Sequence, residues 1–181
     1  WHSDSSFKTT PAKYSLLHAH SIPRKGGNTE FADMRAAYDA VDADMKQQVE
    51  GLICEHSQIY SRGKIGFTDL TDEERARFAP VRQVLVRSHP VTGRKSLYLS
   101  SHAGSVLGQP GPEGNIFLQD LIEHATQRQF VYAHEWQVGD LVIWDNRQTM
   151  HRARPFHFAE PRDMRRTTLA GDGPTVPISP P

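Results

Sequence analysis

The 181-residue chain has one cysteine, no excess of charge of either sign and no long hydrophobic run. A lone Cys54 excludes an internal disulfide and any metal site built from several thiolates, and it favours a reducing, cytoplasmic location. The 21 basic residues balance 21 acidic ones, so the charge signature of a nucleic-acid partner or of an anionic membrane surface is missing. No apolar segment approaches the roughly 20 residues of a membrane span.

What the chain does contain is the composition of a globular protein, with 37% apolar and 23% charged residues. Its length suits one domain with a single core. We expect residues 1–170 to form this domain and the proline-rich segment 171–181 to trail over the surface as a tail. Because the sequence opens at Trp1 rather than at methionine, we expect it to be cut from a longer polypeptide.

Strand-like segments dominate the two ends of the chain, and helical ones lie in the middle. Period-two patterns predict strands over residues 1–10, 14–20, 29–32, 81–89, 95–101, 130–136, 141–145 and 164–170. Capping residues Asp33 and Asp42, the capping box Thr71/Glu74 and an amphipathic segment predict helices over 33–41, 42–52, 71–78 and 113–126. Strands and helices do not alternate, so we predict a mainly β fold with helical insertions, an antiparallel sandwich or jelly roll.

His2 and Asp4 form the first candidate site. On a strand, residues two apart point the same way, so both side chains can reach one metal. Ten histidines and 21 acidic residues predict about one His-x-acid pair by chance, so the pair alone decides nothing. His151 is the best third ligand because it follows the apolar strand 141–145, at the mouth of a sheet. Two histidines and one carboxylate suit Fe(II), although a surface role for His151 stays open.

Three further residues are candidates for binding small molecules. Arg162 and Arg166 lie four apart, so in an extended strand they share a face and can capture carboxylates. The alternative for both is a solvated edge strand whose charges discourage aggregation. His102 follows a predicted strand end, where its side chain can line a pocket.

Five ordered motifs run through the chain, namely Trp1-His2-Ser3-Asp4-Ser5-Ser6-Phe7, Gly27-Asn28-Thr29-Glu30-Phe31-Ala32-Asp33-Met34, His89-Pro90-Val91-Thr92-Gly93-Arg94-Lys95, Trp144-Asp145-Asn146-Arg147-Gln148-Thr149-Met150-His151-Arg152-Ala153 and Arg162-Asp163-Met164-Arg165-Arg166-Thr167-Thr168. Together they resemble the taurine/2,4-dichlorophenoxyacetate dioxygenase family. These are Fe(II)- and 2-oxoglutarate-dependent oxygenases with a double-stranded β-helix core, which is jelly-roll and cupin-like. Within the family the chain is most similar to the aryloxyalkanoate, herbicide-degrading branch, and the resemblance covers essentially the whole chain.

The resemblance implies a role for each matching residue. His2, Asp4 and His151 match the three iron ligands at the catalytic centre. Thr29 and Arg162 match the pair that holds the distal carboxylate of 2-oxoglutarate. Among the remaining matches, Trp144 corresponds to an aromatic residue close to the iron and cosubstrate, and Arg166 corresponds to the position that contacts the acidic group of the substrate. His102 is not part of the motifs, and its place after a strand end makes it a candidate substrate-binding residue.

The implied reaction consumes O2 and 2-oxoglutarate and hydroxylates a small anionic substrate. With an aryloxyalkanoate such as 2,4-dichlorophenoxyacetate, the products are a phenol and an oxo acid, with succinate and CO2. Taurine, another alkylsulfonate or another small acid is the alternative substrate, and an inactive fragment or a non-catalytic binding module is the alternative of another class. The family's domain normally begins well before its His-x-Asp strand, so we expect N-terminal strands to be missing here. A homo-oligomer stays open.

Overall fold

The computed structural model describes residues 1–176. Within this range the strands are β1 (Ala12–Ser21), β2 (Thr29–Asp33), β3 (Ile53–His56), β4 (Val81–Val84), β5 (Val86–Ser88), β6 (Lys95–Leu97), β7 (Ala103–Val106), β8 (Val131–His134), β9 (Leu141–Asp145), β10 (Thr149–Ala153) and β11 (Asp163–Ala170). The helices are α1 (Met34–Ala40), α2 (Ala43–Val49), α3 (Gln58–Gly63), α4 (Asp72–Arg77) and α5 (Gly111–Ala125), with a 3-10 turn at Arg128–Phe130. None of these helices is long and apolar enough to cross a membrane.

The described strands pair antiparallel throughout, in the orders β11-β1-β9, β10-β2-β8, β4-β3-β7 and β5-β6. The predicted mainly β fold with helical insertions is therefore confirmed. Helix α5 packs on β7, and α1 packs on β6. Strands β1 and β2 are the central strands of their sheets, although they lie close together near the start of the chain.

A single core cluster joins α1, α5 and the inner faces of the sheets. Its fully buried members include Met34, Leu85, Leu97, Leu118 and Met150. Because side chains alternate along a strand, Met150 on β10 faces this core while its neighbour His151 faces the opposite way. The core thus fixes the direction of the histidine.

The predicted strand over residues 1–10 is wrong beyond Ser3. Trp1–Ser3 is extended and lies between two segments, since Ser101 N donates to Trp1 O and the backbones of His2 and His151 bond to each other. The chain then turns: Ser5 takes a positive φ of 56°, and Lys8 N donates to Ser5 O. Left-handed backbone at a non-glycine residue is uncommon, and here it ends the strand directly after Asp4.

Three other predictions need correction. The predicted strand 81–89 divides at Leu85 into β4 and β5, which pair with different partners. Strands β7 and β10 were not predicted. His151 therefore lies within β10 rather than beyond a strand end. Because β10 carries polar residues on both faces, Arg152 on the face of Met150 and His151 on the other, its sequence shows no period-two pattern.

The part of the predicted surface tail that the structure describes is bound to the strands beneath it. Gly171 N donates to Pro11 O at 2.8 Å, and Val84 N donates to the hydroxyl of Thr175 at 3.1 Å. Lys13 Nζ reaches Asp172 Oδ1 at 3.0 Å. Residues 171–175 thus pack back on β1 and β4, whereas the last part of the predicted tail, residues 177–181, lies outside the described residues.

The predicted helix caps are confirmed at α1, α2 and α4. Asp33 ends β2 and accepts from Arg35 N and Ala36 N, and its carboxylate also pairs with the Arg35 guanidinium at 2.8 Å. One side chain therefore ends the strand, starts the helix and neutralises a neighbouring charge.

Replacing Asp33 with alanine should lower the free energy of unfolding by about 1 kcal/mol, since two helix N–H groups lose their acceptor. Urea unfolding at pH 7 measures the change. Asp33→Asn keeps a capping oxygen and loses only the charge, so it should cost less. Equal losses in the two variants would show that the ion pair with Arg35, and not the cap, carries the effect.

Candidate metal centre

The backbone places His2 and His151 next to each other. His2 N donates to His151 O at 3.0 Å, and His151 N donates to His2 O at 2.9 Å, which is an antiparallel bridge. Residues directly opposite in such a pair point their side chains to the same face. The two imidazole centroids accordingly lie 4.1 Å apart.

Asp4 completes a group of three potential ligands. Its Oδ1 lies 3.5 Å from His2 Nε2 and 3.8 Å from His151 Nε2, and the ligand atoms of the three residues lie within 4.8 Å of one another. Bonds of about 2.0–2.2 Å to a shared metal would separate neighbouring ligand atoms by about 3–3.6 Å. Two imidazole nitrogens and one carboxylate oxygen at these spacings fit a divalent first-row metal ion.

A buried hydrogen-bond network orients the Asp4 carboxylate. Ser15 on β1 donates its hydroxyl to Asp4 Oδ2 at 2.6 Å, and Asn146 Nδ2 donates to the Ser15 oxygen at 2.8 Å. The Asn146 side-chain oxygen accepts from Asp4 N at 3.1 Å and from Trp144 Nε1 at 3.1 Å. Because Oδ2 is bound to Ser15, Oδ1 is the oxygen that turns toward the two imidazoles. Partners of this kind set the orientation and basicity of a ligand.

The protonation states suit metal binding. Burial, together with the nearby His2, lowers the pKa of His151 to about 3, so its imidazole is neutral at physiological pH. Burial alone would raise the pKa of Asp4, but hydrogen bonds from His2 and Ser15 and the charge of Arg166 hold that pKa well below its usual range. Neutral imidazole and ionised carboxylate are the forms that coordinate a metal.

Beside these three residues lies a cavity of about 590 Å³. Its lining residues are His2, Asp4, Ser5, Phe7, Gln58, Ser61, Arg62, Lys64, Ile65, Ser101, His102, Arg166 and Thr168. Among them the cations Arg62, Lys64 and Arg166 face a single carboxylate, that of Asp4. The lining therefore favours an anionic occupant.

Arg166 and His102, both predicted to bind substrate, line this cavity. Arg166 extends from β11, and its Nη1 lies 3.2 Å from Asp4 Oδ1. The His102 Nδ1 shares a hydrogen bond of 2.8 Å with the Ser61 hydroxyl, and its ring meets Phe7 edge-on at 4.8 Å. Burial, with His2 nearby, lowers the pKa of His102 to about 4, so this side chain is a neutral polar group of the cavity.

Arg162 and Thr29, the predicted cosubstrate residues, lie near a second cavity of about 300 Å³. Arg162 lines this cavity together with Gly27 and Trp136. Trp136 in turn donates its indole N–H to the Thr29 hydroxyl at 3.0 Å. A Cβ on Gly27 would stand 3.4 Å from Arg162 Nε and 3.1 Å from Pro23, so glycine at this position leaves room for the guanidinium.

Trp144, the third predicted cosubstrate residue, is buried against the metal centre. Its ring lies 4.7 Å from His151 and 5.4 Å from Phe31, and its indole N–H is bound to Asn146. Trp144 therefore touches the site with its ring face and supports the Asp4 network with its nitrogen.

Several residues of the site were not predicted from the sequence. Ser15 and Phe31 sit on strands whose register with distant partners brings them to the centre, and a single sequence carries no signal of register. Arg62 and Lys64 come from α3 and the turn after it, a segment for which the sequence predicts neither a strand nor a helix. For Trp136 a signal existed, since an indole N–H needs a buried acceptor.

Comparison with known proteins identifies the family. The model of the family described as taurine catabolism dioxygenase TauD, TfdA family, matches residues 1–168. The chain belongs to the TauD/TfdA family. This result agrees with the resemblance drawn from the five motifs. The matched residues include both sheets that surround the candidate metal centre.

Individual TauD/TfdA relatives are similar over nearly the whole chain. The alpha-ketoglutarate-dependent 2,4-dichlorophenoxyacetate dioxygenase of Cupriavidus pinatubonensis is 49% identical over 172 residues, covering 95% of this chain and 60% of that protein. The (S)-phenoxypropionate/alpha-ketoglutarate-dioxygenase of Sphingobium herbicidovorans is 42% identical, covering 95% and 62%. The chain thus spans about three fifths of the length of these curated relatives.

Among solved structures, the crystal structure of AAD-2 in complex with Mn(II) and N-oxalylglycine superposes with a TM-score of 0.95 at 62% identity. The alignment covers 98% of this chain and 70% of AAD-2. A taurine dioxygenase from Burkholderia xenovorans gives a TM-score of 0.82 at 33% identity, with 96% of this chain and 57% of that one covered. The fold found here is therefore one that TauD/TfdA proteins share.

Removing the Ser15 hydroxyl should weaken Mn(II) binding roughly tenfold or more, since outer partners of metal ligands contribute affinity on this scale. Mn(II) titration followed by electron paramagnetic resonance measures the loss for Ser15→Ala. His151→Ala sets the lower limit and should lose stoichiometric metal. Ser105→Ala, the same change on β7 away from the site, should bind as the parent does. Unaltered affinity in Ser15→Ala would refute the orienting role of this hydroxyl.

Proposed function

We propose that the protein is an Fe(II)- and 2-oxoglutarate-dependent dioxygenase that hydroxylates a small anionic substrate of the aryloxyalkanoate class. The observation that carries the proposal is the convergence of His2 Nε2, His151 Nε2 and Asp4 Oδ1 beside a basic cavity. Relatives named for 2,4-dichlorophenoxyacetate and phenoxypropionate support the choice of substrate class.

We further propose that sheets β11-β1-β9 and β10-β2-β8 belong to a double-stranded β-helix, or jelly-roll, core. The support is topological: the first sheet supplies Ser15 and Arg166, and the second supplies His151 and pairs with His2. A site that forms between antiparallel sheets, rather than at the end of a parallel one, suits this architecture. Residues 1–170 would form this part of the catalytic domain.

In this proposal His2, Asp4 and His151 would hold Fe(II), a ligand set that suits this metal in oxygenases. Once bound, the iron and 2-oxoglutarate supply the oxidising chemistry, in which O2 converts 2-oxoglutarate to succinate and CO2 and delivers its second oxygen atom to a substrate C–H bond. The protein itself keeps the carboxylate ligand Asp4 ionised and the imidazole ligand His151 neutral. The Ser15 bond does this for Asp4, and burial does it for His151.

The distal carboxylate of 2-oxoglutarate would be held by Arg162, with help from the Thr29 hydroxyl. A guanidinium–carboxylate pair out of water is strong and directional. Burial lowers the pKa of Arg162, which is the expected cost of keeping a cation ready at this place. Trp144 closes the side of the site next to His151 and excludes water there.

The substrate would occupy the 590 Å³ cavity with its acidic group toward the cations. Arg166 lies nearest to the metal position, and Arg62 and Lys64 lie on the segment across the cavity. Phe7 and Ile65 add apolar surface for an aromatic ring. Hydroxylation beside the ether oxygen of an aryloxyalkanoate gives a hemiacetal, which collapses to a phenol and an oxo acid.

An alkylsulfonate or sulfate ester is the second candidate substrate, because the same cations suit a sulfonate. More distant relatives named alkylsulfatase and sulfate ester dioxygenase, at 33% and 29% identity, support it. We also propose a cytoplasmic protein, on the support of its single, buried free thiol, Cys54.

Arg162→Ala should weaken 2-oxoglutarate binding at least tenfold, because the distal carboxylate loses a charge-assisted pair. Anaerobic titration of the Fe(II) protein with 2-oxoglutarate, followed by the visible charge-transfer band of the chelate, measures the affinity. Arg165→Ala is the matched control, since Arg165 points outward and pairs with Asp163. A wild-type protein that gives no band would overturn the proposed function itself.

Turnover should require a negative charge on the substrate. We expect succinate release with aryloxyalkanoates to exceed release with taurine or alkyl sulfates, and the neutral amide of a good substrate acid to react at least tenfold more slowly, since it leaves the cavity cations unpaired. Succinate assays across this panel measure both differences. Equal rates for acid and amide would contradict the role of the cations, and no release with any substrate would favour a non-catalytic module.

A further inference from the structure

The hydrogen bond between Trp136 and Thr29 has a fixed direction. An indole N–H can only donate, so the Thr29 oxygen is the acceptor in this 3.0 Å bond. Both residues are more than nine-tenths buried. The hydroxyl hydrogen of Thr29 therefore has to point elsewhere, and among residues 1–176 no hydrogen-bond acceptor receives it.

The indole itself is held in place from its other side. The His134 ring meets it edge-on, with centroids 4.5 Å apart and planes at 85°. His134 Nε2 lies 3.0 Å from Asp140 Oδ2, and His134 is the residue directly opposite Thr29 in the β2–β8 pairing. Trp136 is thus held between His134 of β8, which contacts its ring, and Thr29 of β2, which accepts a hydrogen bond from its indole N–H.

A cation without a carboxylate partner lies at the same place. Arg162 lines the 300 Å³ cavity together with Trp136, and its guanidinium rests on the Phe156 ring at 5.5 Å. Within the described part of the chain it forms no ion pair, and its one polar contact is a 3.5 Å approach to Gly27 O. A free hydroxyl donor and an unpaired guanidinium are the two groups that a carboxylate needs.

We propose that Trp136 is a positioning residue for 2-oxoglutarate, one that fixes the Thr29 hydroxyl as a donor toward the distal carboxylate. This inference rests on the proposed function. The indole occupies a lone pair of Thr29, which removes the rotamers in which the hydroxyl would turn toward it, and a hydroxyl that accepts one bond donates another more strongly. Binding then loses less freedom of the side chain, which is the gain of preorganisation.

Trp136→Phe tests the proposal, because phenylalanine keeps an aromatic ring against His134 and removes only the donor and part of the ring. The dissociation constant of N-oxalylglycine, a non-reacting analogue in which N–H replaces a methylene of 2-oxoglutarate, should rise about fivefold to tenfold in the Mn(II) protein. Isothermal titration calorimetry measures it. The affinity for Mn(II) alone should not change, since Trp136 contacts none of the three ligands.

A double-mutant cycle separates positioning from general damage. Thr29→Val removes the hydroxyl but keeps the shape, and it should raise the same dissociation constant by a similar factor. In the Thr29→Val background, Trp136→Phe should add little further loss, because the hydroxyl that it positions is gone. Thr126→Val is the matched control for the threonine change, since it removes a hydroxyl that bonds to Ile122 O at the end of α5.

The outcomes point to different failures. Multiplicative losses in the double variant, or an unchanged affinity in Trp136→Phe, would overturn the positioning role while the proposed function stands. A wild-type Mn(II) protein that does not bind N-oxalylglycine would overturn the proposed function instead. A loss in Trp136→Phe that disappears in the Thr29→Val background is the result that supports the inference.

Discussion

Two backbone hydrogen bonds between His2 and His151 are the constraint on which the site depends. They join the first residues of the chain to β10 and set both imidazoles on one face of the sheet. The turn at Ser5 then ends the extended segment right after Asp4, where Ser15 and Asn146 fix the carboxylate. The side chains at the centre are therefore positioned by main-chain geometry first and by hydrogen bonds second.

Electrostatics work locally in a chain that is neutral as a whole. The 21 positive and 21 negative residues cancel over the sequence, yet the large cavity gathers cations around the single carboxylate of Asp4. Acidic side chains pair with basic ones elsewhere, as Asp145 does with Arg147 and Glu30 does with Arg152. The net charge of the chain therefore does not reveal the charge of the cavity beside the metal centre.

Much of the fold was readable from the sequence wherever one local pattern decided the structure. Caps such as Asp33 and the Thr71/Glu74 box depend on neighbours a few residues away, and they were predicted correctly. The predicted strand over 1–10 is too long because its end is set by a single left-handed residue, and β10 was missed because it carries polar residues on both faces. The specific motifs placed His2, Asp4 and His151 in one group, but only the strand register revealed Ser15 and Phe31 beside them.

The pairing of β1 with β11 has a consequence for the way the chain reaches this structure. Ala12 lies opposite Ala170, and β1 also pairs with β9 on its other edge, so both neighbours of the central strand lie far from it in the sequence. Closing such long loops costs conformational entropy before the strand contacts contribute favourable free energy. Folding is therefore slower when more of the contacts join residues far apart in the sequence. A nascent chain cannot complete this sheet until β11 has been made, so Arg166 reaches Asp4, beside Ser15, only after β11 has paired with β1.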